Sequence, residues 1–199
     1  MEIKPAKLYY YFPVILIFTV SVLVSVAVVP FIKTNAVALL MFNKMISNDP
    51  TGVLLGWKLG MSPCVSYGVK CSLGRVVHLE LNQCRLYGTI FFIPLASLNM
   101  LSTLVLSGNM FIVNSTNLMF LQRGLKRLEL SDTDMFGLFH DTIFSKLSIL
   151  EYIDLSYSNL TGSLHADLEH NMVHFRVQQH NRFLILVHKR KKKLHVKRG

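Results

Sequence analysis

Apolar residues return along this chain in a fixed frame, Leu-x-x-Leu-x-Leu-x-x-(Asn/Cys)-x-Leu. The second leucine of the frame falls at Leu79, Leu104, Leu128 and Ile153, in steps of 25, 24 and 25 residues. The third falls at Leu81, Leu106, Leu130 and Leu155, and the next apolar rung at Leu86, Phe111, Met135 and Leu160. Side chains alternate along a strand, so the leucines of each Leu-x-Leu enter the core and the residues beside them face out. One such unit cannot bury its own apolar face. Stacked units share a core and present a curved outer face.

Self-similarity of this period and content is that of leucine-rich repeats. It predicts an α/β solenoid: a horseshoe fragment of about four repeats over residues 72–168, with a helical, disulfide-linked N-terminal cap over residues 37–71. The terminal repeat of a stack needs such a lid. Leu39, Leu40, Phe42, Met45 and Ile46 have helical spacing. Asp49-Pro50-Thr51-Gly52 reads as a turn, because proline fixes φ and glycine tolerates positive φ. Leu54, Leu55 and Trp57 then cover the open end of the first repeat.

Cys64 and Cys71 have six residues between them. In an exported domain the default reading is a disulfide. Two free thiols are the alternative. Zinc would need two further ligands, and no nearby histidine has finger-like spacing. Cys84 stands at the frame position held by Asn109 in the next repeat, where the turn needs an inward polar or thiol group. It reads as a buried structural thiol.

Ala38-Leu39-Leu40-Met41-Phe42, Asp49-Pro50, Leu55-Gly56-Trp57, Pro63-Cys64 and Gly68-Val69-x-Cys71 together resemble the extracellular cap of plant leucine-rich-repeat receptor-like kinases. More narrowly, the chain resembles the brassinosteroid-receptor family, on its vascular-highway branch. That likeness rests on Leu104-Val-Leu-Ser-Gly-Asn109, Phe111-Ile-Val-Asn-Ser-Thr116, Leu128-Glu-Leu-Ser131 and Phe144-Ser-Lys-Leu-Ser148, within residues 37–168. One departure lies in the cap: the aromatic expected two residues after the first cysteine is Ser66, with Tyr67 one step later. In that family the steroid site, the membrane span and the kinase lie further along. The resemblance therefore implies a truncated receptor ectodomain with no steroid site and no enzyme activity.

The out-facing residues form columns. His78, Thr103, Arg127 and Tyr152 make the first; Glu80, Val105, Glu129 and Asp154 the second; Asn82, Ser107, Ser131 and Ser156 the third. The second column is mostly acidic, and the first suits a protein or peptide partner. A solvated face with no partner gives the same alternation, so the pattern alone leaves both readings open. Asn114-Ser115-Thr116 and Asn159-Leu160-Thr161 are glycosylation sequons, expected in the non-strand part of their repeats. No catalytic set emerges: His140, Asp141 and Ser145 share one loop without evidence of triad geometry. Nor do the remaining histidines have a metal spacing. No cofactor is expected.

Lys4 and Lys7 precede a run from Val14 to Val29 without charge, which reads as a secretory signal over residues 1–36. Cleavage after Ala36 is favoured over cleavage after Ala27. The uncharged stretch from Leu8 to Ile32 is also long enough to span a bilayer of roughly 30 Å, so an uncleaved anchor is the alternative. Both place the repeats in the secretory pathway, outside the cell or on the outer face of the plasma membrane.

The net charge of +10 is concentrated at the other end. Residues 170–199 hold nine of the 21 Lys and Arg and no acid, which leaves 12 basic and 11 acidic groups elsewhere. Residues 169–199 therefore read as a basic, disordered tail that leaves the last strand uncovered; a decayed fifth repeat through Met172, Phe175 and Val177 is the alternative. Lys189 to Lys193 would serve a nucleic-acid- or anionic-lipid-binding protein, the competing functional class. For an exported chain no nucleic acid is expected.

Overall fold

The computed structural model describes residues 34–139, 142–165, 174–176 and 182–186. Most of the proposed leader and residues 187–199 of the basic tail lie outside them, as do His140 and Asp141.

The frame leucines generate a two-sheet solenoid. The first sheet holds β3 (Arg75–Glu80), β5 (Thr103–Val105), β7 (Arg127–Glu129) and β9 (Tyr152–Asp154), all parallel. Each strand ends where Leu81, Leu106 and Leu130 donate their N–H to the carbonyls of Val105, Glu129 and Asp154, at 2.8–2.9 Å. The stack thus hands its backbone bonds from one repeat to the next. The second sheet lies on the other side of the core. It holds β4 (Tyr87–Thr89), β6 (Met110–Asn114), β8 (Asp134–Phe139) and β10 (Asn159–His165). Leu79, Leu104, Leu128 and Ile153 are fully buried between the sheets, together with Leu86, Phe111, Met135 and Leu160.

The helical part of the α/β expectation is small. The segments outside the sheets are mostly 3-10 turns, Ile93–Ser97 and Ser115–Phe120, with one short helix, α2 (Thr142–Lys146). At the N-terminal end α1 spans residues 34–43 and buries Ala38, Leu39 and Phe42. The helix stops before Met45 and Ile46, contrary to the spacing of the apolar residues. Ile46 instead opens β1 (Ile46–Asn48), which pairs antiparallel with β4. Gly88 permits this approach, since a Cβ there would lie 2.2 Å from the Met45 carbonyl oxygen.

The lid is anchored by Asp49, whose carboxylate accepts the N–H groups of Val53 and Leu54 at 3.1 and 2.8 Å. Gly52 takes φ +69° in that turn. Leu54 and Trp57 are buried as expected, but Leu55 is 72% exposed. The lid closes over the repeats with two of the three side chains. The Thr51 hydroxyl donates to the Cys84 carbonyl at 3.1 Å, tying lid to first repeat. Cys64 and Cys71 are disulfide-bonded with Cα atoms 5.5 Å apart, between the 3-10 turn Pro63–Val65 and β2 (Val69–Ser72). Strand β2 extends the first sheet antiparallel to β3.

At the C-terminal end the solenoid continues into the stretch read as a tail. β11 (His174–Arg176) pairs parallel with β9, setting Phe175 beside Ile153, and β12 (Arg182–Leu186) pairs parallel with β10. Leu155 donates its N–H to the Arg176 carbonyl at 3.1 Å, the same hand-over seen between earlier repeats. The strand at Tyr152–Asp154 is therefore covered, contrary to the expected bare edge. The step from Ile153 to Phe175 is shorter than the repeat period, which agrees at Phe175 with the alternative of a decayed fifth repeat; Met172 and Val177 lie outside the described residues.

Candidate functional site

The turn after each first-sheet strand fixes how its face is presented. Asn109 is buried there, and its side chain amide donates to the carbonyls of Leu81 (2.7 Å) and Leu106 (2.8 Å). Its amide oxygen accepts the N–H groups of Cys84 (3.1 Å) and Leu86 (3.0 Å). Four buried backbone groups are satisfied by one side chain, as burial requires. The corresponding position is Thr133 in the next repeat, whose hydroxyl donates to the Leu130 carbonyl at 2.7 Å. In the first repeat it is Cys84, a buried free thiol directed toward the Asn82 carbonyl at 3.3 Å and 3.9 Å from the Tyr67 hydroxyl. Burial pushes the Cys84 thiol above its ordinary pKa. The displaced aromatic of the cap thus sits over the first repeat, and its carbonyl accepts the Trp57 indole N–H at 3.2 Å.

Strand pairing aligns the outward residues in register. His78 stands beside Thr103, Thr103 beside Arg127, and Arg127 beside Tyr152; Glu80, Val105, Glu129 and Asp154 form the neighbouring row. Between them is an open hollow of about 640 Å³ that includes His78, Glu80, Thr103, Val105, Arg127 and Glu129 in its wall, with Asn82 at the end of the first strand. Tyr152 and Asp154 do not line it. Gln83, Gly108 and Asp132 do, and the sequence reading missed them. Their signal was conformational: with Tyr157 they occupy one frame position, and all four have positive φ. Gly108 within Ser-Gly-Asn is the one residue of that column whose type announces it.

Glu80, Arg127 and Glu129 in the hollow are ion-paired, whereas no ion pair reaches Asp132 among the described residues. Glu80 accepts from Lys70 Nζ at 3.0 and 3.1 Å and lies 3.2 Å from His78 Nδ1. Burial raises the Glu80 pKa, but the Lys70 hydrogen bond and charge, and then His78, outweigh it and hold the carboxyl below its ordinary value. Arg127 is ion-paired with Glu129, and its guanidinium also lies 4.2 Å from the Tyr152 ring centroid. Burial, with the nearby Glu129 and Asp154 charges, raises the Tyr152 pKa. Asp154 is itself buried, and its carboxylate is turned onto the Ser156 N–H (3.0 Å) and hydroxyl (2.6 Å). It supports the strand end and is not displayed.

The sequon asparagines are on the second sheet and not in non-strand segments. Asn114 ends β6 and Asn159 begins β10. Among the described residues no group of His, Cys, Asp or Glu side chains could hold a metal ion, and no helix is long and apolar enough to cross a membrane.

No family model matches the chain. Serine/threonine-protein kinase BRI1-like 2 of Arabidopsis thaliana is 43% identical over 130 residues, covering 65% of this chain and 11% of the kinase. The chain spans about a tenth of the length of the curated relatives it matches. Among solved structures, Pollen Receptor Kinase 3 superposes with a TM-score of 0.64 at 28% identity, over 74% of this chain and 72% of that one. The Arabidopsis receptor kinase HAESA, seen with the peptide hormone IDA and the co-receptor SERK1, shares the fold with a TM-score of 0.56 at 22% identity, over 75% of this chain and 30% of that one. The chain is thus similar in sequence to BRI1-like kinases over 65% of its length, and similar in fold to plant receptor-kinase leucine-rich-repeat ectodomains.

Proposed function

We propose that this chain is an extracellular interaction module that takes a peptide or protein partner in the hollow of its first sheet. The observation that carries the reading is the hollow itself. Side chains from three parallel strands converge on it, joined by ion pairs and by the Arg127–Tyr152 contact. Polar groups set at regular intervals around an open concavity suit an extended partner. The complex of HAESA with a peptide hormone and a co-receptor supports the partner class. The disulfide in the lid supports an oxidising compartment.

The test is selection of a displayed random-peptide library against the secreted chain. Enriched peptides should lose binding to Arg127→Ala and Glu80→Ala while keeping it to Leu138→Ser on the opposite sheet. Peptides insensitive to both hollow substitutions would overturn the site. A chain retained in the cytosol would overturn the extracellular reading.

A further inference from the structure

The second sheet brings together three residues that are far apart in sequence. Asn114 of β6 and Asn159 of β10 both pair with Phe136 of the strand between them. Paired residues in a parallel ladder project to the same face. Val113, Met135 and Leu160 beside them are buried, so Asn114, Phe136 and Asn159 share the outward face. Asn159 is exposed, Asn114 half-buried, and Phe136 41% exposed. The two asparagines are the acceptors of the two sequons. The Asn114 amide oxygen accepts the Thr116 hydroxyl at 2.8 Å and the Thr116 N–H at 3.0 Å. The amide nitrogen is the atom that carries a glycan, and these bonds use only the oxygen.

We infer that N-glycans on Asn114 and Asn159 flank Phe136 and cover it, so that this face of the second sheet is closed to partners and binding is confined to the first. The inference rests on the extracellular reading. In the modification, each asparagine side-chain nitrogen bonds to the anomeric carbon of an oligosaccharide carried on a polyprenyl diphosphate. The bond from that carbon to the diphosphate oxygen breaks, the polyprenyl diphosphate leaves, and one amide proton passes to the transferase base. The occupant is thus attached at both borders of the apolar residue it covers. Sugar C–H groups pack well on an aromatic face, whose π-system is electron-rich. An exposed phenylalanine in a row with Leu138 would otherwise invite association.

Tyr87 is the internal control: it is exposed on the same sheet and pairs with Met110, away from either sequon. Thr116→Ala and Thr161→Ala remove the sequons while keeping both asparagines and the backbone N–H bond from position 116 to the Asn114 amide oxygen. Peptide mass spectrometry of the secreted chain should find glycan at both sites. Hydroxyl-radical footprinting should then show Phe136 oxidised roughly twofold or more faster in the double variant than in the glycosylated chain, with Tyr87 unchanged. A secreted chain unmodified at 114 and 159, or Phe136 oxidation equal in the two forms, overturns the inference and leaves the extracellular reading standing. A chain that never enters the secretory pathway overturns both.

Discussion

The two sheets are built from the same repeats and enclose the same core, yet they present opposite chemistry. The first sheet shows Glu80, Arg127 and Glu129 in compensated pairs around a hollow. The second shows Tyr87, Met110, Phe136 and Leu138, each more than two-fifths exposed. On the proposed reading, the paired polar groups mark the binding face and the apolar row beside the sequons is the covered one.

The comparison rests first on a common interior. Leu106→Ala should cost about 2–5 kcal/mol, since it leaves a cavity between the sheets. Phe136→Ala, on the outer face of the second sheet, should cost much less, and Val105→Ala, out-facing on the first sheet but buried among its neighbours, should fall between the two. Equal losses in chemical denaturation would show that one outer face is packed against something in the folded chain. The second-largest effect is expected at the turns that join the sheets. Asn109→Ala strands buried carbonyl and N–H groups and should cost about 2–3 kcal/mol, given roughly 1–3 kcal/mol for a buried group left unpaired. Thr133→Ala, which loses one buried hydroxyl bond, should cost less; parity of the two would refute a dominant role for the Asn109 amide.

The polar face itself should be nearly neutral for stability. Arg127→Ala removes an exposed ion pair and a cation–π contact, and should cost about 1 kcal/mol or less. A larger drop in melting temperature would make the first-sheet face a structural element. The smallest effect is a pH dependence. The folded Glu80 carboxyl lies below its ordinary value of 4.5, so its contribution is present above that value and lost as pH falls through the lower folded one. Glu80→Gln should therefore lower stability slightly at neutral pH and flatten the acid limb below about pH 4.5, so that the two stability–pH curves converge in acid. An unaltered acid limb would remove the Lys70–Glu80–His78 cluster from the account.

The recurring leucines by themselves determined the solenoid, the first-sheet strands and their columns. A period of 24 or 25 residues is one turn of the stack, so residues at equal frame positions must become neighbours in space. The cysteine pair and the Asp-Pro-Thr-Gly turn were equally legible, because each acts over a few residues. Only the tertiary structure decided what does not repeat. It ended α1 before Ile46 because β1 needs that backbone against Gly88. It withdrew Asp154 from the face through Ser156, and it added strands at His174–Arg176 and Arg182–Leu186 at a shortened step. It also set Asn114, Phe136 and Asn159 side by side. The frame marks the leucines that every repeat must bury, whereas these contacts depend on which side chains happen to meet when the repeats are stacked.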